Sequence, residues 1–162
     1  MIDSETQKKE TKPSFLAKAK DRILEELKTG TSPEKIALSL ALGAAIGVFP
    51  VIGTTMALCA VLGFLLRLNP VSIQIANYAA YPFQVFLIIP FLRLGSYLLG
   101  KEIDLGWAYR LAEGDTSQVI DGLSRSAGYA VLGWTSTVPL AAFLSYFLFL
   151  LLIRKVNGII RK

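Results

Sequence analysis

The sequence contains no histidine and a single cysteine. Without histidine, the common zinc-hydrolase ligand sets and Ser-His-Asp triads are excluded. One cysteine closes no internal disulfide, and Cys59, among apolar neighbours, reads as a small buried hydrophobe. Charge is the second scarcity: no Asp, Glu, Lys or Arg occurs in 36–66, 68–92 or 126–153. The paired acids Glu102/Asp104 and Glu113/Asp115 match no metal-binding loop and read as solvated surface. No catalytic residue, metal or cofactor is expected, and no enzyme activity. No signal peptide is visible either, since charges run throughout the first 35 residues.

What is present is apolar. Hydrophobic residues make up 53% of the chain, concentrated in those three stretches, and predict an all-α integral membrane protein of one domain. The stretch Ile36 to Leu66 would measure roughly 46 Å as one straight helix, too long for a single crossing. Gly43, Gly47, Pro50 and Gly53 crowd its middle, and proline does not sit in an unbroken helix without losing a hydrogen bond and clashing. The spacing predicts two half-helices, 33–48 and 54–66, with structural break residues Gly47, Pro50 and Gly53. Such a segment is either a short hairpin or a re-entrant loop, and irregular backbone at membrane depth survives only inside protein or along a wet cavity.

Ser32-Pro33-Glu34 is a helix start: an N-cap, a first-turn proline and an acid at the positive end. Two rows of small residues follow, Ala37/Ala41/Ala45 and Ser39/Gly43/Gly47, suited to close helix approach. Thr54 is placed to cap the second half-helix and aim its positive end into the bilayer, as discontinuous transporter helices do. After the turn Arg67-Leu68-Asn69-Pro70, a second interruption is expected around Asn77, Tyr81, Pro82 and Gln84, with a kink at Pro90. Asn77 and Gln84 either line a pathway or glue the bundle by interhelical hydrogen bonds. Arg93 either snorkels to the interface or pairs with an anionic group near the break.

Residues 101–124 form a polar connection in which Trp107 and Tyr109 suit an interface, and 126–153 is long enough to cross with tilt. Residues 1–31 read as a polar tail plus an amphipathic helix with Phe15, Ala19, Ile23 and Leu27 on one face, either interfacial or solvated. Residues 32–153 form the membrane domain, and 154–162 a basic tail. The first 35 residues hold eight Lys and Arg, the last nine hold four, and 101–122 hold two, which places both termini in the cytoplasm. The net charge of +5 thus sits at the chain ends, where anionic lipid rather than nucleic acid is the expected partner.

The run SPEKIALSLALGAAIGVFPVIG, then LLRLNP and NYAAYPFQVFLIIPFLRLGSYLLG, resembles the bacterial family catalogued as domain of unknown function 2062. The likeness covers roughly Ser32 to Ile153. It rests on a Gly-x-Phe-Pro-x-x-Gly break at Gly47, Phe49, Pro50 and Gly53 and an Arg-Leu-Asn turn at Arg67, Leu68 and Asn69. Many members are similar around an Asn-Pro pair in the second interruption, whereas Tyr78 to Tyr81 separate Asn77 from Pro82 here. The resemblance implies a small bacterial inner-membrane protein and implies no activity.

The functional expectation is a small permease or lipid-handling protein with a site between the two interruptions, built from Pro50, Thr54, Asn77, Tyr81, Gln84 and Arg93. The rival is a membrane scaffold or assembly factor in which Gly and Pro serve packing alone. A wet cavity reaching both Pro50 and Asn77 favours the first, a dry core the second. Membrane lipid is the expected partner, and a homo-oligomer is a further possibility.

Overall fold

The computed structural model describes residues 32–103, 105–112 and 119–160, together with Lys18, Asp21, Arg22 and Glu25. Those four are helical and exposed; the polar tail, the apolar face at Phe15, Ala19, Ile23 and Leu27, the acids Asp104, Glu113 and Asp115, and Arg161-Lys162 lie outside the described residues. Five helices follow one another: α1 Pro33–Gly47, α2 Thr55–Leu65, α3 Pro70–Leu98, α4 Gly106–Ala112 and α5 Val119–Ile160. Among the described residues there is no strand.

The first break forms where the sequence places it. Ser32 caps α1 by accepting from the Lys35 N–H, with Pro33 in the first turn. The helix stops at Gly47, and Gly53, at φ +89°, takes a left-handed conformation that a residue with a Cβ adopts at a cost. Thr54 does not cap α2. Its backbone is already helical, and its hydroxyl donates backwards to the Val51 carbonyl at 2.8 Å, so it closes the turn instead. Helix α2 ends with Arg67 at φ +51°, where Leu68 N–H bonds to Gly63 O and Arg67 N–H to Phe64 O. This is a Schellman closure with arginine where glycine is usual. Asn69 then caps α3, its Oδ1 accepting from Ser72 N–H at 2.8 Å.

The second interruption is absent. Helix α3 runs through Pro82 and Pro90 for 29 residues, about 43 Å. An interior proline costs about 3 kcal/mol but does not by itself redirect the chain. Around Pro50, glycines stand on both sides and one supplies a positive φ; between Pro70 and Leu94 there is no glycine at all. Pro82 is thus a helix residue and not a structural break. Helix α3 ends in a second Schellman closure, at Gly100 with φ +61°. The last apolar segment is also longer than its uncharged core, because α5 starts at Val119 and continues through Arg154 and Lys155 to Ile160.

Helices α1, α3 and α5 pack pairwise into a three-helix core, with α2 against α3 and α1 and α4 against α5. The Ser39/Gly43/Gly47 row meets α3 in constant register. Asn69 N–H donates to Ser39 Oγ, Gly43 lies under Ile73, and Gly47 lies under Asn77 and Ala80. Ser39–Asn69, Gly43–Ile73 and Gly47–Asn77 are each 30 residues apart, so α1 and α3 run parallel. The alanine row turns toward α5: Ala37 is buried with Leu150 and Ile153, and the Ala45 carbonyl accepts from Trp134 Nε1–H at 3.1 Å.

Helix α5 runs antiparallel to both. Gly95 abuts the Tyr129 carbonyl, Gly133 abuts the Phe91 carbonyl, and Arg154 pairs with Glu34 at 2.8 Å where α1 begins. The Arg154 guanidinium holds the Glu34 carboxyl below its ordinary pKa. As a half-exposed pair it orients the helix ends more than it stabilises them.

Candidate functional site

The register fixes how far the α1–α2 hairpin reaches. Its tip, Val48 to Thr54, lies level with Asn77 to Gln84, roughly half way along α3. Beyond that level α3 and α5 continue side by side with no third helix between them among the described residues. The space so left is a groove of about 1030 Å³. Pro50, Val51 and Ile52 close its lower end, Ile88, Ile89, Leu92 and Arg93 of α3 form one wall, and α5 from Ile120 to Ala130 forms the other. Ile103, Leu105 and Trp107 close the upper end. The groove is open to the side, with Ile52, Ile89 and Ile120 all exposed.

Trp107 joins this groove to a second, polar chamber of about 360 Å³. Its Nε1–H donates to Ser126 Oγ at 3.1 Å, and both residues line both spaces. Gly122 makes room for the indole, since a Cβ there would come within 2.5 Å of Trp107 Cβ. Lys101, Arg110 and Arg125 face this chamber together with Glu102 and Asp121.

The residues expected to form one site are divided between two places. Pro50 and Arg93 share the groove, and Arg93 is exposed, with no side-chain partner among the described residues. Thr54 closes the turn, and Tyr81 is exposed elsewhere on α3. Asn77 and Gln84 are almost wholly buried between α1 and α3. Gln84 Nε2–H donates to the Phe49 carbonyl, and Asn77 Nδ2–H to Gln74 Oε1 at 3.4 Å. A cavity reaching both Pro50 and Asn77 is therefore not what forms. Asn77 sits in close-packed protein, while Pro50 lines an open apolar space.

Three contributors were missed from sequence. Trp134 stands in an apolar run without a polar neighbour to mark it, yet it donates to the Ala45 carbonyl and stacks edge-on against Phe49, with centroids 5.0 Å apart. Lys101 and Arg125 were not singled out as site residues. The one usable signal was Trp107, placed at an interface on composition.

The break is thus held from both sides. Carbonyls at a helix end have no intrahelical partner and need donors. Gln84 of α3 supplies Phe49, and Trp134 of α5 supplies Ala45. In chemical terms the arrangement offers an apolar slot with a fixed lower end, one guanidinium on its wall and a mixed-charge chamber at its upper end.

No curated protein and no solved structure matches the chain significantly. A family model does match, over residues 16–159, and its description is "Uncharacterized protein conserved in bacteria (DUF2062)". The match takes in all three core helices, the break and the groove, and the chain belongs to this family.

Proposed function

We propose that this is an integral membrane protein whose half-length hairpin leaves a lateral groove that seats the hydrocarbon part of a membrane lipid. Two helices, Pro70–Leu98 and Val119–Val156, are long and apolar enough to cross a bilayer. The core helix of a soluble protein passes the same length test but is mostly buried; here only 33% and 17% of the apolar windows are buried. The outward surface carries Phe64, Phe86 and Leu151 at 83%, 78% and 68% exposure, an apolar belt that water does not favour. On this reading α1 and α2 enter and return on one side, α3 crosses outward and α5 crosses back. The Glu34–Arg154 end, rich in Lys and Arg, is cytoplasmic, and Lys101, Arg110 and Arg125 lie on the outer side.

The groove carries the reading: it is apolar, open sideways toward acyl chains, and closed below by the hairpin tip. The role is binding rather than catalysis, which narrows the expected lipid handling to this one space. The small-residue rows argue against the scaffold alternative in its self-associating form. Gly43, Gly47, Gly95 and Gly133 all meet helices of the same chain, so they are not free for a second copy.

The test is lipid retention. Ile89→Trp, at an exposed wall position, should fill the groove without touching the packed core. Purified in mild detergent, it should retain about tenfold less co-extracted lipid by mass spectrometry, the equivalent of about two methylenes of lost contact. Its thermal unfolding should match wild type. Unchanged lipid retention in the folded variant would contradict the proposal.

A further inference from the structure

The groove accounts for a hydrocarbon tail and leaves the polar chamber unused. We infer that the chamber recognises the headgroup of an anionic phospholipid, with Lys101 and Arg125 taking the phosphate; this rests on the groove reading above.

Three observations carry it. The first is continuity. The two spaces share Trp107 and Ser126, so one amphiphile can place its tail below the indole and its head above it. An indole with its N–H spent on Ser126 suits the boundary between the two phases.

The second is the state of the charges. Lys101 and Arg125 make no ion pair with Glu102 or Asp121, although all four face the same chamber. Asp121 and Arg125 are one helical turn apart, the spacing at which such pairs commonly close. Arg110 is already engaged in a contact of its own and is not invoked.

The third is the balance of charge. With Arg110 set aside, two bases face two acids among the described residues of the chamber, and Arg93 adds a further positive charge on the adjoining wall. The sum favours an anion. Arginine and lysine bind a phosphate by charge-assisted hydrogen bonds. Glu102 and Asp121 then remain as acceptors for headgroup hydroxyls. A phosphoglycerol headgroup satisfies both sets, with one negative phosphate and two hydroxyl donors. A phosphocholine headgroup is neutral overall and has no donor.

The experiment is a competition read by native mass spectrometry of the full chain in detergent, with equimolar phosphatidylglycerol and phosphatidylcholine of the same acyl chains. Wild type should hold phosphatidylglycerol in roughly tenfold preference. The double variant Lys101→Gln/Arg125→Gln should lose that preference to near parity while keeping its total bound lipid. Lys101→Arg/Arg125→Lys should keep the preference. All of these positions are exposed, and the unfolding temperature of each variant checks that it folds.

No preference in wild type, or a preference that survives in the double glutamine variant, would overturn the headgroup assignment. Failure of the underlying reading looks different: Ile89→Trp would then leave total bound lipid unchanged. A last arm uses inorganic phosphate on Ile89→Trp. Binding there as tight as that of phosphatidylglycerol to wild type would mean a site for free phosphate, and would overturn the lipid assignment.

Discussion

Gly95→Leu is expected to abolish the folded protein. A Cβ at Gly95 would overlap the Tyr129 carbonyl and reach within 3.1 Å of the Gly133 amide nitrogen, both backbone atoms of α5. Neither yields as a side chain would. Across the same crossing, Gly133 is pressed against the Phe91 carbonyl, so the two glycines together set how closely α3 and α5 approach. Ordinary overpacking costs roughly 1–3 kcal/mol, and a clash with backbone on both sides belongs at or above the top of that range. In detergent the variant should show no cooperative thermal transition, or run as aggregate on size exclusion. The control lies on the same helix: Gly128 has nothing within 4 Å of where a Cβ would sit. Gly128→Ala should leave the protein folded and raise its stability by up to about 1 kcal/mol, the helix-propensity difference. Equal behaviour of the two variants would mean that this crossing is not the close one described.

The second large effect is expected at the break. Trp134→Phe keeps most of the ring packed on Phe49 but removes the donor to the Ala45 carbonyl. Gln84→Leu removes the donor to the Phe49 carbonyl at a position with no exposure at all. Each leaves an acceptor without its protein partner, a loss of about 1–3 kcal/mol. The two donors hold the same short segment from opposite helices, so their losses should not add. Once one is gone the segment shifts, and the other is worth less. Thermal unfolding of the two single variants and the double should give a coupling of at least about 0.5 kcal/mol. Because Pro50, Val51 and Ile52 close the groove, the double variant should also retain less lipid than either single one. Strict additivity would mean that the two hydrogen bonds hold separate parts of the chain.

These two sites mark what could and could not be read in the sequence. The first break was legible because Gly47, Pro50 and Gly53 combine a helix stop with a residue able to take φ +89°, and Ser32-Pro33 announced its first helix. The Ser39/Gly43/Gly47 row was legible as a close approach, and α3 is what approaches. The second break was misread because proline was weighed without glycine. Pro82 and Pro90 each cost a hydrogen bond, but no residue nearby turns the chain, and α1 and α5 pack α3 on two sides. The start of α5 was set too late because Asp121 and Arg125 ended the uncharged run; charge scarcity measures apolar length, and a helix continues past it.

The groove was not legible at all. It arises from the mismatch between a hairpin about 22 Å deep and a helix pair twice as long, and no local pattern records a missing neighbour. Arg93, expected in one site with Asn77 and Gln84, instead lines the groove with Pro50, while Lys101 and Arg125 lie in the chamber beyond Trp107. Gln84 Nε2–H bonds to the Phe49 carbonyl across the contact with the break, whereas Asn77 Nδ2–H reaches Gln74 on its own helix.

The depth of the hairpin tip tests the whole account most directly, because the groove exists only if the hairpin stops half way. A nitroxide placed on Ile52→Cys in a Cys59→Ala background, with the protein in liposomes, reports depth through its relative collisions with oxygen and with a water-soluble nickel chelate. Ile52 is exposed at the tip, so the label perturbs no packed contact. The account predicts high oxygen and low nickel collision, as at the bilayer centre, some 15 Å below the headgroups. Nickel collisions as frequent as those of a label at Lys101→Cys would place the tip at the far surface, and would contradict both the half-length hairpin and the groove built on it.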